Sequence, residues 1–561
     1  MPRREPIQFE LGRRLAEIAG WQTVSRADAT VAQALHATRA VDRVVGLNEA
    51  AFFDELFAYV REIGAWPLLE QLDPSDRTRP LLPFLQFVLF TMMRCVGGVS
   101  SMLATREVLL TDEALMALLG FNAVQVKNGS NARGQNRRTE PVEIRGPFSY
   151  ETVADNIVKI GPEKLAFLFN GVIRCLAKQG IFPKQLDVSL DATDNEATPG
   201  YAMDDADREV PSVVRDKRPE VRANRHASKV KVTVFGWKVW LVWEPVAKVP
   251  LALVIDDINV ADNTHALALL RQACANVQGQ AHVRSVALDR GFLDGKLLSA
   301  IEQDGPWVYI PAKSSMLITQ DARQIARLAA AAASKGQTLE GAVYKERTRI
   351  VVRGAGKNAV EEKQVTTVVG ISELACDWWN PEGSACTPKE PKKLRATVVL
   401  RWDGAPKDAD KEVVILTTDP SEDPFAAFDA YDDRSLIENT CNREAKEHWF
   451  LEHHPKRSEA GVRVHAHFVF LCMALVAGFR AYKSKLDLAE RRGQDLGITR
   501  YRRQLEANNS DKLLVIIGSF FAVMRSFEFA LLAGIHVREH EVAGESAETV
   551  LRRFGVPTPA G

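Results

Sequence analysis

Tyr431, Arg434, Glu438 and Lys446 lie in one stretch, YDDRSLIENTCNREAK, whose spacing suits an α-helix. At about 100° per residue, Arg434 and Glu438 fall roughly 60° and 20° to one side of Tyr431, and Lys446 roughly 60° to the other. A phenol, a guanidinium, a carboxylate and an ammonium would then share an arc of about 120°. A carboxylate can hold a hard metal ion, while Arg, Lys and a Tyr hydroxyl can grip phosphate oxygens. The same residues would also make an ordinary solvated face with i,i+4 pairs. The rest of the chain has to decide between the two.

Two further acids suit the same chemistry. In QLDVSLDAT, Leu186, Val188 and Leu190 alternate with Asp187, Ser189 and Asp191, the period of a strand, which predicts Asp191 on the polar face at the strand's end. Val283–Leu288 reads as a buried strand running directly into Asp289, Arg290, Gly291 and Phe292. Asp191, Asp289 and Glu438 are 98 and then 149 residues apart. Meeting on a rigid scaffold, three carboxylates would bind two Mg2+ ions, or Mn2+ in their place. Such ions activate water or a 3′-hydroxyl and stabilise the leaving oxygen of an in-line phosphoryl displacement. Three acids clustered without metal would repel one another, which favours the metal reading over a packing one. Singly, each is an ordinary surface residue; Asp187 and Asp194 compete with Asp191, and Asp294 with Asp289.

The surrounding elements must bring these acids together. Residues 1–180 read as a helical N-terminal region suited to DNA binding, with Leu35–Ile63, Leu81–Met102 and Ser149–Gln179 at helical spacing. Within it lies a polar loop carrying Lys127, Arg133, Arg137, Arg138 and Arg145, a candidate backbone contact for DNA. Residues 181–312 give strands at 185–193, Val230–Trp243 and Leu251–Ile255, a helix at Asn263–Ala275, the strand Val283–Leu288, a helix at Leu293–Gln303 and the strand Trp307–Ile310. Arg218, Arg222, Arg225 and Lys229 make the connection after the first strand basic. Strand, strand, strand, helix, strand, helix, strand, then a late helix, is the order of an RNase H-like fold, a mixed α/β sheet flanked by helices. Residues 313–428 read as a small, mostly β insertion subdomain behind an Ala-rich helix. Residues 429–482 return to the core, with Val464–Tyr482 an apolar helix expected to cover the sheet. Residues 483–561, including Leu513–Ile535, are expected to be helical and suited to pairing two copies.

Composition bounds the rest. At 561 residues, 46% hydrophobic and 26% charged, the chain has the make-up of a soluble globular protein of several domains. Its formal net charge is zero, so any grip on nucleic acid must come from local basic patches. No apolar run of signal-peptide character opens the chain, and Phe468–Phe479 and Leu513–Ile535 read as buried helices and not membrane spans. Seven cysteines without a CxxC pair point to a reduced, cytoplasmic protein without a zinc site. His448, His453, His454, His465 and His467 crowd one segment, but no Cys or acid spacing completes a zinc set.

SLDATD, ALDRGF and the Tyr431 helix with RSLIEN, in this order, resemble bacterial insertion-sequence transposases of the DDE type, in the group with a Tyr-Arg-Glu-Lys signature. The likeness runs over roughly 184–482, and a β-rich insertion before the last acid is a mark of the group. The resemblance implies a cut-and-paste DNA recombinase working as a homodimer on its element ends and a target. It implies Asp191, Asp289 and Glu438 as catalytic metal ligands, with Tyr431, Arg434 and Lys446 on phosphates. Arg290 and the basic connection are further candidate DNA contacts. In the family six residues separate the Glu from the Lys; here seven do, the family spacing falls on Ala445, and Arg443 stands as an alternative to Lys446. Relatives stack a tryptophan on a flipped base; Trp378, Trp379 and Trp402 are candidates, each also readable as core. A DNA-binding relative that no longer cuts, and an RNase H-like metal-dependent nuclease, are the competing functions.

Overall fold

The computed structural model describes residues 24–74, 82–121, 126, 147–197, 203–204, 208–217, 230–353, 360–379, 391–402, 405–406, 411–486, 510–535 and 545–557. Lys127, Arg133, Arg137, Arg138, Arg145, Arg218, Arg222, Arg225, Lys229 and Cys386 lie outside the described residues. The chain divides into two compact units, Met1–Leu168 with His453–Gly561, and Phe169–Glu452.

The second unit is built on a mixed sheet. Its strands are β1 (Gln185–Glu196), β2 (Ser212–Lys217), β3 (Val230–Glu244), β4 (Val249–Asp257), β5 (His282–Leu288) and β6 (Trp307–Pro311), continued by β7 (Ala342–Arg353), β8 (Val360–Cys376), β9 (Lys392–Trp402) and β10 (Val413–Thr417). The order is β2-β3-β1-β5-β6-β10-β9-β8-β7, with β4 also paired to β3. β3 runs antiparallel to β1 and β4, whereas β5 is parallel to β1 and β6 parallel to β5. Parallel neighbours need a crossover, and helices α1 (Ala266–Val277) and α2 (Gly295–Gln303) supply it. Val230–Trp243, open between a strand and a hairpin in sequence, is one strand. Its tryptophans Trp237, Trp240 and Trp243 are all buried.

The insertion is not a separate subdomain. β10 pairs antiparallel with β6, so β7–β10 extend the same sheet. Helix α3 (Leu317–Ala333) packs on β8, β7 and β9, and helix α4 (Pro424–Leu436) packs across β9, β8, β1 and β5. Pro424 begins α4 at a position where its missing N–H costs nothing, and Asp423 caps it by accepting from the Phe425 amide. Phe425, Ala427 and Phe428 of α4 then pack on Ala287, Tyr309, Val368, Val399 and Ile415. Ion pairs hold the joint: Arg347 of β7 meets Asp429 at 2.7 Å, and Lys345 meets Asp423 at 3.2 Å. The β1 face carrying Ser189 is therefore covered, Ser189 being buried. Covering that face takes it from solvent, so it is not the open polar face the alternation predicted.

In the first unit the strands Ser25–Arg26, Phe520–Arg525, Lys512–Ile517 and Arg43–Gly46 form a small sheet in that order. Leu513–Ile535 is thus not a helix throughout. Its run of Leu, Val, Ile and Phe is broken by Gly518-Ser519, a two-residue hairpin turn with Gly518 at φ +60°, and only Ser526–Leu532 is helical. Among the described residues of the C-terminal region expected to be helical, the structure is accordingly a hairpin followed by short helices. Val31, Leu35, Val515, Ala522, Met524 and Val550 form its core. Glu459–Leu486 is helical, as expected, and within this unit it packs on the helices Phe84–Val96 and Ala50–Glu62. Its apolar segment is 89% buried, the mark of a core helix.

Candidate active site

The register of the sheet brings two of the three acids together. β1 and β5 pair in parallel up to Leu190 opposite Leu288, so Asp191 and Asp289 are each the next residue beyond the last pair. β1 continues to Glu196 along β3, which places Asp191 inside the strand and not at its end. Glu438 follows directly on α4, whose apolar face is fixed on the same sheet. All three line one open cavity of about 630 Å3, together with Asp194, Arg215, Lys238, Asp262, Asn442, Arg443 and Lys446.

The competing acids are occupied elsewhere. Asp187 is held by Arg284 and by the Ser285 hydroxyl at 2.6 Å, and lines a different cavity. Asp294 caps α2 through the Leu297 amide. Asp194 does line the site, but Arg215 grips both its oxygens at 2.9 Å. Among the described residues, Asp191 and Asp289 have no ion pair. Burial, then the charge of Glu438, push the Asp191 carboxyl up to about 7, with Asp289 adding to the shift. The Ala192 amide and Arg434 oppose it.

The helix carrying Glu438 is not continuous. α4 gives way at Ile437–Asn442 to a π-helical turn, and Arg443–Glu447 resumes the α form as α5. A π turn closes i→i+5 and absorbs one residue. Positions beyond it face where the preceding number would face in an unbroken helix, which moves Lys446 by about 100°. Lys446 then falls roughly 40° from Tyr431 on the same side as Arg434 and Glu438. The seventh intervening residue and the π turn cancel, and Lys446 lines the cavity while Ala445 is buried. Lys446 meets Glu452 at 2.9 Å and donates to the Asp194 carbonyl. Arg443 also reaches the cavity, paired with Glu447 at 3.1 Å. Deleting Thr440, which lets the segment return to an α-helix, is therefore expected to leave DNA cleavage within about tenfold of wild type. Inserting an alanine after Thr440 displaces Lys446 by another ~100° and should abolish it. Equal rates for the two variants would sink the compensation.

Tyr431 and Arg434 are not brought to the cavity wall. Arg434 has a side chain only 9% exposed, and it donates to Glu438 at 2.8 Å. Its guanidinium lies over the half-buried Tyr431 ring at 5.4 Å. Tyr431 packs against the cluster around Phe428. Tyr431 is half-buried against that cluster and Arg434 is engaged with Glu438, so neither is part of the cavity lining. Arg290 is exposed in the short turn after Asp289 and is not part of the cavity lining. Trp402 is half-buried edge-on against Phe428 at 5.0 Å, and Trp379 is buried. Trp378 is half-buried, and its carbonyl lies so close over Gly295 that a side chain there would collide with it.

Sequence reasoning missed two features of this wall. Lys238 interrupts the apolar run FGWKVWLVW, a charge where a buried strand should have none. Its ammonium, 5% exposed, bonds Asp262 at 2.8 Å and the Val260 carbonyl at 2.6 Å. Trp240 donates to the Asp262 carbonyl, and Gly291 leaves room for the Asp262 carboxylate, which a Cβ there would meet at 2.9 Å. The other is Asn442, one turn beyond Glu438, which donates from Nδ2 to Asp191 at 3.1 Å.

A divalent metal fits this donor set in kind: converging carboxylates, one of them pushed up to about 7 by burial and by the neighbouring acids, are what hard cations neutralise. Among the described residues no three His, Cys, Asp or Glu side chains already surround one ion position; Glu438 is drawn to Arg434. Three of the histidines are engaged within the fold: His467 donates from Nδ1 to the Arg463 carbonyl and is pushed down to about 4 by burial, and His454 stacks edge-on to His465.

Residues 189–475, a little over half of the chain, match the family described as Transposase DDE domain. No curated protein matches the sequence. Among solved structures, the piggyBac transposase synaptic complex with hairpin DNA aligns over 96% of this chain and 87% of that chain, at 9% identity and a TM-score of 0.36, a likeness too slight to argue from.

Proposed function

The chain belongs to the DDE transposase family, and on that premise we propose that it is a bacterial insertion-sequence transposase that nicks DNA at its element ends and transfers the 3′-hydroxyls into target DNA. The observation that carries this reading is the meeting of Asp191, Asp289 and Glu438 on one open cavity. The order β4-β3-β1-β5-β6, antiparallel and then parallel, supports an RNase H-like core. The residues fit the Tyr-Arg-Glu-Lys group once the π turn is counted.

Asp191, Asp289 and Glu438 would hold Mg2+, whose chemistry at such a site is activation of water or a 3′-hydroxyl and stabilisation of the leaving oxygen. Arg434 holds Glu438 in place from the buried side. Lys446 and Arg443 are the cations on the cavity wall that can exchange their present partners for phosphate oxygens, as bound phosphate offers a charge-assisted bond of similar strength. Two copies would join the two ends in the bacterial nucleoid.

Incubating the protein with DNA spanning its own gene and flanks, with and without Mg2+, tests the reading. Nicks confined to the element boundary and dependent on Mg2+ are expected. Specific binding without any cutting would favour a DNA-binding relative that has lost activity, and cutting without preference for the boundary would favour a nuclease.

A further inference from the structure

Asn442 is 93% buried, on the π turn, and it lines the cavity shared by the three acids. One end of its amide is accounted for, since Nδ2 donates to the Asp191 carboxylate at 3.1 Å. The other end is not: Oδ1 is buried and has no hydrogen-bond partner. Buried amide oxygens are paired in nearly all proteins, and an orphan calls for a ligand, ion or water. An amide carbonyl is also a hard, neutral oxygen donor of the kind divalent cations accept beside carboxylates.

Resting on the reading of this cavity as a metal site, we propose that Asn442 is a further residue of that site. Its N–H orients Asp191, and its carbonyl oxygen completes the shell of a divalent cation, directly or through a water. The π turn is what sets it there: Glu438 and Asn442 belong to the same widened turn, so the turn that places Lys446 also brings an amide onto Asp191.

The test is Mn2+ binding to the metal-free full-length protein, with free Mn2+ read by electron paramagnetic resonance. Wild type, Asn442→Ala, Asn442→Asp and Asp289→Asn are compared, with circular dichroism and melting curves verifying the fold. Asn442→Ala should weaken Mn2+ binding by about tenfold or more, the usual effect of losing a group that holds a metal's ligands. Asn442→Asp, which keeps an oxygen at that place, should return it to within roughly threefold of wild type. If Asn442→Ala does not fold, Asn442→Ser is measured in its place. Wild-type affinity in Asn442→Ala, or a loss that Asn442→Asp does not recover, overturns the role of Asn442 while leaving the metal site standing. No Mn2+ bound by wild type, or equal binding by Asp289→Asn, removes the metal reading and this proposal with it.

Discussion

Asp191→Asn is expected to abolish cleavage of element-end DNA by at least about a thousandfold, and at the same time to raise the melting temperature of the metal-free protein at pH 8. The two effects have one cause. Asp191 is buried beside Glu438 and Asp289, without a cation of its own, and its carboxyl is pushed from 3.8 to about 7. An acid whose pKa is raised by folding binds its proton more tightly in the native state. Its contribution is therefore most favourable below about pH 4, declines as pH rises through the window from about 4 to 7, and is fully lost above it. Three pKa units correspond to roughly 4 kcal/mol, a ceiling for the cost of keeping this carboxylate charged. Asparagine carries no charge, and its Oδ1 can still accept from Asn442. The difference between variant and wild type should thus be small at pH 4 and largest at pH 8. Adding Mg2+ should stabilise wild type and narrow the gap, because a ligand that binds only the native state shifts its stability. Thermal melts at the two pH values, with and without Mg2+, check this. A variant that melts below wild type at pH 8 without metal would mean that Asp191 is not the uncompensated charge of the site.

Much of this site could be read from sequence because it rests on strand periodicity. The alternation around Leu186–Leu190 and the buried run Val283–Leu288 mark the two parallel strands, and the pairing of Leu190 with Leu288 makes Asp191 and Asp289 neighbours, although β1 itself runs on to Glu196. What stayed hidden depends on departures from regular geometry or on long-range pairing. The family's Glu-to-Lys spacing assumes an unbroken α-helix, so the π turn at Ile437–Asn442 made Lys446 look one residue out of place, and the contact of Asn442 with Asp191 is a long-range one that no local pattern marks. The pairing of β10 with β6 is a contact between segments about a hundred residues apart, and no local pattern separates a sheet extension from a free-standing subdomain. Leu513–Ile535 failed for a local reason: a continuous apolar run reads equally as helix or as two strands until the Gly-Ser turn is given weight. The burial of Arg434 was not legible because position on a wheel says nothing about depth, and its neighbours Phe425 and Phe428 draw that face of α4 into the core.

Glu438→Ala should also lose cleavage by a thousandfold or more, yet its effect on stability should have the opposite sign from that of Asp191→Asn. Glu438 is half exposed, so its own solvation changes little on removal. The Arg434 guanidinium that it neutralises is 9% exposed, and its Nε already has no partner. Taking away the carboxylate strands a buried charge. Loss of one member of a fully buried pair costs about 3–5 kcal/mol, and with Glu438 open to water a cost of about 1–2 kcal/mol is the scaled expectation. Denaturant titration of the metal-free protein measures it. Adding Arg434→Met to Glu438→Ala removes the stranded charge and should recover most of the stability without restoring any cleavage. Arg434→Met alone should leave the fold near wild type but slow cleavage by about 10- to 100-fold, the usual loss when a ligand is no longer held. If that single variant cuts at the wild-type rate, Arg434 does not position Glu438, and the ion pair is a feature of packing alone. If Glu438→Ala is instead as stable as wild type, the guanidinium finds water or another acceptor when the carboxylate leaves. The three acids would then differ in stability only through Asp191, with the two outcomes told apart by the double variant.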